Sequence, residues 1–285
     1  SGESGSGIAA HLGEAALIDV SISAELAGLW AGVGILLEDV DMAGAVQLDV
    51  QGSAGAGLIG VKLDNATAME QQGELTISCT LACGDSCTGV QLSGGNNFAV
   101  SQFSISSTLT DCAVDCYGVQ AIGSLAITPG RSASILGVAA TVGVFVEQGS
   151  IAANNLTVSG EGRQGILLEG ATINVAHLIL SGNVSEVSAG GFSVGVEINS
   201  SSITYTSALI AGGPDSDANV GVNLVNTGLP PAPLVVRGQG MVDDIIFDYP
   251  QMPFNVGTHT VRFEGALRVP RIWMVTGNPG SAVEF

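Results

Sequence analysis

Apolar and polar residues alternate in short runs along most of the chain, and a glycine opens run after run. Val90-Gln91-Leu92 and Val196-Glu197-Ile198 show the pattern. A period of two places successive side chains on opposite faces of a β-strand, so each run predicts a strand with one buried face. The glycine openings fall at Gly7, Gly34, Gly60, Gly89, Gly118, Gly143, Gly165, Gly195 and Gly221, at steps of 27, 26, 29, 29, 25, 22, 30 and 26. Gly32 is an alternative to Gly34. A second run follows the openings; 16–20, 46–50, 75–78, 156–158, 178–180 and 234–236 are examples. Several end in Ser-Gly, Gln-Gly or Arg-Gly, a turn signal. No 3.6-residue period persists over ten residues, which excludes helical repeats, and the fixed Leu/Asn scaffold of leucine-rich repeats is missing.

Repeats of this length that cannot bury their apolar face singly do so by stacking. The reading is an all-β chain forming a single right-handed parallel β-helix of about ten coils, with a mean period of about 27 residues. The hand follows the preference of parallel crossovers, and ten coils at about 4.8 Å make a rod about 48 Å long. Residues 1–6 read as a linker or cloning remnant, 7–225 as regular coils and 226–285 as irregular terminal coils of the same helix. That last stretch holds seven of the nine prolines and four of the six arginines. Both ends fall near strand openings, as expected of a piece cut from something longer. In its Gly-Val-x-Leu coils the chain resembles the bacterial right-handed parallel β-helix proteins, the pectate-lyase-like superfamily. The resemblance is one of repeat pattern over about residues 7–285 and carries no family-specific motif. It implies the fold. It does not choose among lyases, hydrolases, tailspikes and adhesins.

The clearest duplication is Cys83-Gly-Asp-Ser-Cys87-Thr-Gly89-Val-Gln against Cys112-Ala-Val-Asp-Cys116-Tyr-Gly118-Val-Gln, offset by 29 residues throughout. Pairing within each turn gives Cys83–Cys87 and Cys112–Cys116. Pairing across coils gives Cys83–Cys112 and Cys87–Cys116, also within reach at strand spacing. Loop entropy favours the cross-coil bridges, about 3.5 kcal/mol each against about 2. Pairing within the turn is nevertheless preferred, because each copy carries both partners. A four-thiolate zinc site is the rival, without the usual C-x2-C spacing. Cys79, left over, reads as a buried small apolar residue.

Composition narrows the partners. The formal charge is −19, with a single lysine, Lys62. Such a chain repels phosphate backbones and anionic membranes, so nucleic acid is excluded as a partner class. No run of 18 uncharged apolar residues predicts a membrane span. Five cysteines point to an oxidising compartment.

Candidate chemistry is sparse. Glu38-Asp39-Val-Asp41 and Asp243-Asp244 with Asp248 are the densest carboxylate clusters; Lys62, one coil past Glu38, could stack near it. Asp215-Ser-Asp217 offers oxygen ligands without the glutamate or spacing of a calcium loop, and reads as a turn. His11, His177 and His259 occupy different positions in different repeats, forming neither a triad nor a metal set. Trp30, Tyr117 and Tyr205 lie in separate coils and make no stacking row for sugars. The Asn-x-Ser/Thr asparagines Asn65, Asn155, Asn183 and Asn199 are expected to stack in turn ladders. No catalytic residue, cofactor or metal ligand is assigned.

The expected function is therefore a non-catalytic rigid segment of a bacterial cell-surface or secreted adhesin or fibre. Its partners would be a surface glycan or protein, or neighbouring domains of a longer fibre, met through the turns at 80–88, 108–117 and 183–194. A polysaccharide lyase or hydrolase, and a trimeric tail-fibre or spike domain, are the alternatives.

Overall fold

A computed structural model of the chain describes residues 6–14, 16–29, 31–68, 73–127, 132–184, 193–212 and 219–225, followed by short strands between 234 and 284; side chains are described between 12 and 209. The strands stack as a parallel β-solenoid with three walls. Wall one begins with Ser6–Gly13, Ala31–Glu38 and Leu58–Asp64. It continues through 87–93, 117–122 and 142–147, then Gln164–Glu169, Ser193–Asn199 and Asn219–Val225. Wall two is short, running from Ala16–Ile18 and Asp41–Ala43 to Ser202–Thr204. Wall three runs from Ser21–Leu29, Ala45–Ala54 and Glu74–Cys83 through Gln102–Thr110 and Ser132–Val138 to 155–162, 177–184 and Ser207–Gly212.

Among the described residues eight coils, from the one opened by Ser6–Gly13 to the one opened by Ser193–Asn199, carry strands on all three walls. This differs from the ten expected. Beyond them walls one and three run on through Ile245–Asp248 and Ile272–Val275, and through Thr260–Glu264 and Ala282–Glu284. Gly221 likewise opens a wall-one strand followed by Leu234–Arg237 on wall three, and the stretch between them lies outside the described residues.

The lumen is one file of aliphatic side chains. Ile35, Val61, Val90, Val119, Val144, Ile166 and Val196 pair one above the next on wall one and are at most 1% exposed. Leu48, Ile77, Ile105, Ile135, Val158 and Leu180 face them from wall three, also buried. Each such side chain stabilises by about 1.5–3 kcal/mol relative to exposure, and no single coil could bury them.

The glycine that opens each run has a steric reason. A Cβ on Gly34 would stand 2.6 Å from the carbonyl oxygen of Gly60, and the same contact recurs from Gly60 to Gly89, Gly89 to Gly118 at 2.7 Å, Gly118 to Gly143, Gly143 to Gly165 and Gly165 to Gly195. The backbone of each coil thus occupies the place a side chain would need. Gly7 does not belong to this file, contrary to the expectation. It pairs with Gly32, while Ala10 pairs with Ile35 and so puts Ala9 in line with Gly34. The Gly7-Ile8 pair comes two residues early in its strand.

A left-handed backbone turns wall one into wall two at the same place in all eight coils. The residues are Glu14, Asp39, Asn65, Gly94, Gly123, Gln148, Gly170 and Ser200, with φ from 48° to 110°. Asp, Asn and Gly adopt this conformation most readily; Glu14, Gln148 and Ser200 show that stacking enforces it on others. Amides in this corner donate to the neighbouring coil, as Asp39 N does to Asp64 O and Gly170 N to Asn199 O, both 2.9 Å. The Asn-x-Ser/Thr asparagines do not make one ladder: Asn65 sits in the corner, Asn199 just before it, and Asn155 and Asn183 on wall three. Their distances from the glycine opening differ, so stacking carries them to different files.

Replacing Gly160, whose added Cβ would run into the Gly165 carbonyl, should cost about 3 kcal/mol or more as Gly160→Ala. Gly95→Ala, where the nearest atom would be Asn65 Oδ1 at 3.7 Å, should stay within about 0.5 kcal/mol. Denaturant melts of the two variants check this; equal losses would refute the backbone-contact account.

Candidate functional site

Outward positions of wall one form two files. One carries Leu36, Lys62, Gln91, Gln120, Phe145, Leu167 and Glu197; the other carries Glu38, Asp64, Ser93, Ile122, Glu147, Glu169 and Asn199. Gln91 Nε2 donates to Gln120 Oε1 at 2.9 Å across one coil, and the rings of Tyr117 and Phe145 stack with centroids 5.7 Å apart. This is the most varied chemistry on the described surface: an amide ladder, an aromatic pair and three carboxylates in successive coils.

Those carboxylates are Glu147, Glu169 and Glu197. Glu147 and Glu169 are register partners. Glu197 lies one coil further, half-buried, and accepts a hydrogen bond from Gln164 Nε2 at 3.2 Å. Burial raises its pKa above the ordinary carboxylate range; Gln164 opposes the rise and the charge on Glu169 adds to it. A carboxyl group held protonated more readily than usual by burial is one ingredient of acid–base chemistry. Among the described residues no group of three or more His, Cys, Asp or Glu side chains is placed to hold a metal ion.

The structure separates the residues that the sequence had grouped. Glu38 points outward from wall one, Asp39 forms the left-handed corner, and Asp41 lies on wall two, accepting a hydrogen bond from Thr67 Oγ1. A three-residue cluster that spans a corner is splayed by it. Lys62 pairs with Asp64 on its own strand, Nζ to Oδ2 3.6 Å, although Glu38 is the register partner of that same Asp64. His177 stands exposed on wall three, Nδ1 2.8 Å from Ser207 Oγ. Tyr205 is buried, and Tyr117 joins Phe145. His11 and Asp248 lie on wall-one strands, described there as backbone. Trp30, Asp215, Asp217, Asp243, Asp244 and His259 lie outside the described residues, as do 185–192 of the third expected contact turn.

Glu147 and Glu169 escaped the sequence reading although a signal was there. Both stand four residues after a glycine opening, in Gly143-Val-Phe-Val-Glu and Gly165-Ile-Leu-Leu-Glu. So do Glu38 and Asp64. The signal for this file is a shared offset from the opening glycine, not local acidic density.

The cysteine turns join wall three to the next wall one. Cys83 is bridged to Cys87 and Cys112 to Cys116, each within its own turn. This leaves no thiolates for the zinc alternative. All four are buried, and the Asp85 carbonyl oxygen lies 2.7 Å from Cys112 Sγ, so the first turn rests on the second. The tip of the second turn exposes Val114. Cys79 is free and buried, as expected. Burial, then the Asp49 carboxylate, pushes its thiol up to about 12, against a lowering by the Ser107 hydroxyl.

Compared with protein-family models, with curated proteins and with solved structures, the chain matches none.

Two expectations follow. A glutamate whose folded pKa is raised binds more protons folded than unfolded, so its ionisation costs stability as pH rises through that range. Glu197→Gln should therefore raise the melting temperature at neutral pH and lose that advantage below the ordinary carboxylate range; a gain independent of pH would contradict the assignment. Cys112→Ser with Cys116→Ser should cost about 2 kcal/mol, and peptide mapping of the unreduced chain should return only the two within-turn bridges.

Proposed function

We propose that the chain is a non-catalytic rigid segment of a bacterial cell-surface or secreted adhesin or fibre, of the pectate-lyase-like kind its repeats resemble. The observation that carries this reading is the unbroken lumen file, Ile35 through Val196, fully buried coil after coil. Such a stack resists bending because every coil is hydrogen-bonded to the next along its walls, and length is gained one coil at a time. The within-turn disulfides support an extracellular or cell-surface setting, since such bridges persist in oxidising compartments. The strong negative charge keeps such a rod from sticking indiscriminately to anionic surfaces. Contact with a surface glycan or protein would fall to the turns, of which the Val114 tip is the most exposed apolar example.

A second reading rests on a specific observation. Glu197, a half-buried carboxyl whose pKa burial raises, has the Glu169 carboxylate as a neighbour on the wall that also carries the Tyr117–Phe145 pair; paired carboxyl groups are the chemistry a polysaccharide-cleaving enzyme would use.

One experiment separates the two. Beads coated with the chain are presented to glycan- and protein-coated surfaces, and the soluble chain is incubated with neutral and uronate polysaccharides while reducing ends and unsaturated products are followed. The rod reading expects adhesion that is unchanged in Glu169→Gln/Glu197→Gln, and no turnover. Turnover that this double variant abolishes would establish the enzyme instead, and failure to adhere to any surface would remove the adhesin.

A further inference from the structure

Wall three presents an outer face whose charge is out of keeping with the rest of the molecule. The file Thr76, Ser104, Ser134, Thr157 runs up four successive coils, with hydroxyl and amide side chains on either side of it. Over the six coils from Glu74–Cys83 to Ser207–Gly212, the outward residues described there include two charged side chains, Glu74 and Glu161. Wall one, by contrast, carries the carboxylates described above, and the chain as a whole has a formal charge of −19. Two large apolar side chains stand within this neutral sheet, Leu136 at 39% and Ile179 at 42% exposure.

From this we infer that the outer face of wall three is where a second copy of the chain packs. Three observations choose that occupant. Two molecules each bearing −19 repel one another over most of their surfaces, and approach is least costly where charge is absent; depletion of charge is also the compositional mark of an interface centre. The face has the necessary extent: six strands about 4.8 Å apart, with outward residues spanning about 23 Å along each, make about 650 Å² per partner, close to the roughly 800 Å² of a stable pair. Short Ser and Thr side chains surround Leu136, and Thr157, His177, Ser181 and Leu209 surround Ile179; mostly small side chains let two sheets approach to the usual separation of about 10 Å, with the two apolar residues filling the gap. A two-fold axis through the face brings the same patch against itself, the commonest closed arrangement. The inference does not rest on the adhesin reading, since a polysaccharide-cleaving enzyme could pair through the same wall.

Sedimentation velocity tests it on the whole chain. The wild type should show a species of twice the chain mass, and its apparent association should tighten with added salt, which screens the mutual repulsion. Leu136→Glu with Ile179→Glu should weaken pairing at least tenfold while leaving circular dichroism unchanged. Ile18→Glu, at the 64% exposed Ile18 on wall two, should leave it intact. Because the double variant places two carboxylates on the sheet, a milder one accompanies it: Ser134→Cys, near the middle of the face, should cross-link to its own copy under oxidation, and Thr204→Cys on wall two should not. A wild type that stays monomeric up to its solubility limit, or a dimer that the Leu136/Ile179 variant leaves unchanged, overturns the proposal. So does cross-linking through Thr204→Cys but not through Ser134→Cys.

Discussion

The packing of this solenoid depends on the close approach of backbone to backbone at its glycines. Along wall one, each opening glycine leaves room for the carbonyl of the glycine in the next coil. In the middle coils wall three does the same from the opposite side: a Cβ on Gly137, Gly160 or Gly182 would collide with the carbonyls of Gly143, Gly165 and Gly195. There the two walls touch without any side chain between them. The register of wall three shows how this contact is reached, for the positions leading to Gly137 read Val50, Cys79 and Ser107. The side chain shrinks coil by coil until it is gone. Cys79 belongs to this series as a size between valine and serine. Its elevated thiol pKa is a consequence of the place it fills and argues against a reactive role.

Fixing the two walls against each other makes the corners carry the variation in length. The corner between walls one and two is the same left-handed residue in eight coils, and it tolerates Glu, Gln and Ser beside the expected Asp, Asn and Gly. The corner from wall three to the next coil is freer. It contains left-handed Gly28 and Gly57 in the first two coils and the disulfide turns in the third and fourth. A bridge of four-residue separation stiffens a turn without tying one coil to another. Insertions between strands therefore lengthen a coil without disturbing the lumen, which is why repeat steps from 22 to 30 can share one register.

The lumen was legible in the sequence because its signal is local and repeated. Glycine followed by a β-branched residue and an alternating run marks wall one, and Val90, Val119, Val144 and Ile166 stack as that pattern requires. The outer faces were not legible in the same way. Whether two side chains are neighbours there depends on their offset from the opening glycine, so Glu38, Asp39 and Asp41, adjacent in the chain, point three ways, while Glu147 and Glu169, 22 residues apart, are partners. The Asn ladder failed for the same reason. The first coil departs from the pattern because Ala9 stands where later coils have glycine, while Gly7-Ile8 mimics the opening two residues early.

A solenoid buries one side of every strand and leaves the other to solvent, so its outer walls answer to different demands from its lumen. If solubility alone had shaped them, charge would be spread over all three walls, since a formal −19 is available. Instead carboxylates recur down wall one, whereas the described outward residues of wall three over six coils are mostly hydroxyls and amides, with Glu74, Glu161, His177, Leu136 and Ile179 among them. Wall three needs no such neutrality for its own folding: Asp49 and Gln51 sit on it one coil earlier, where Asp49 accepts a hydrogen bond from Gln51 Nε2 at 2.9 Å and another from Ser78 Oγ. Carboxylates are thus compatible with this sheet, and their scarcity further along it calls for a cause outside the single chain. A surface that another molecule covers supplies that cause, because a carboxylate there would have to shed its water on contact. Apolar side chains alone do not mark the covered wall, since wall one also turns Ile122, Phe145 and Leu167 outward; the difference lies in the carboxylates that recur there, which leave wall one the face better suited to meet a polar partner.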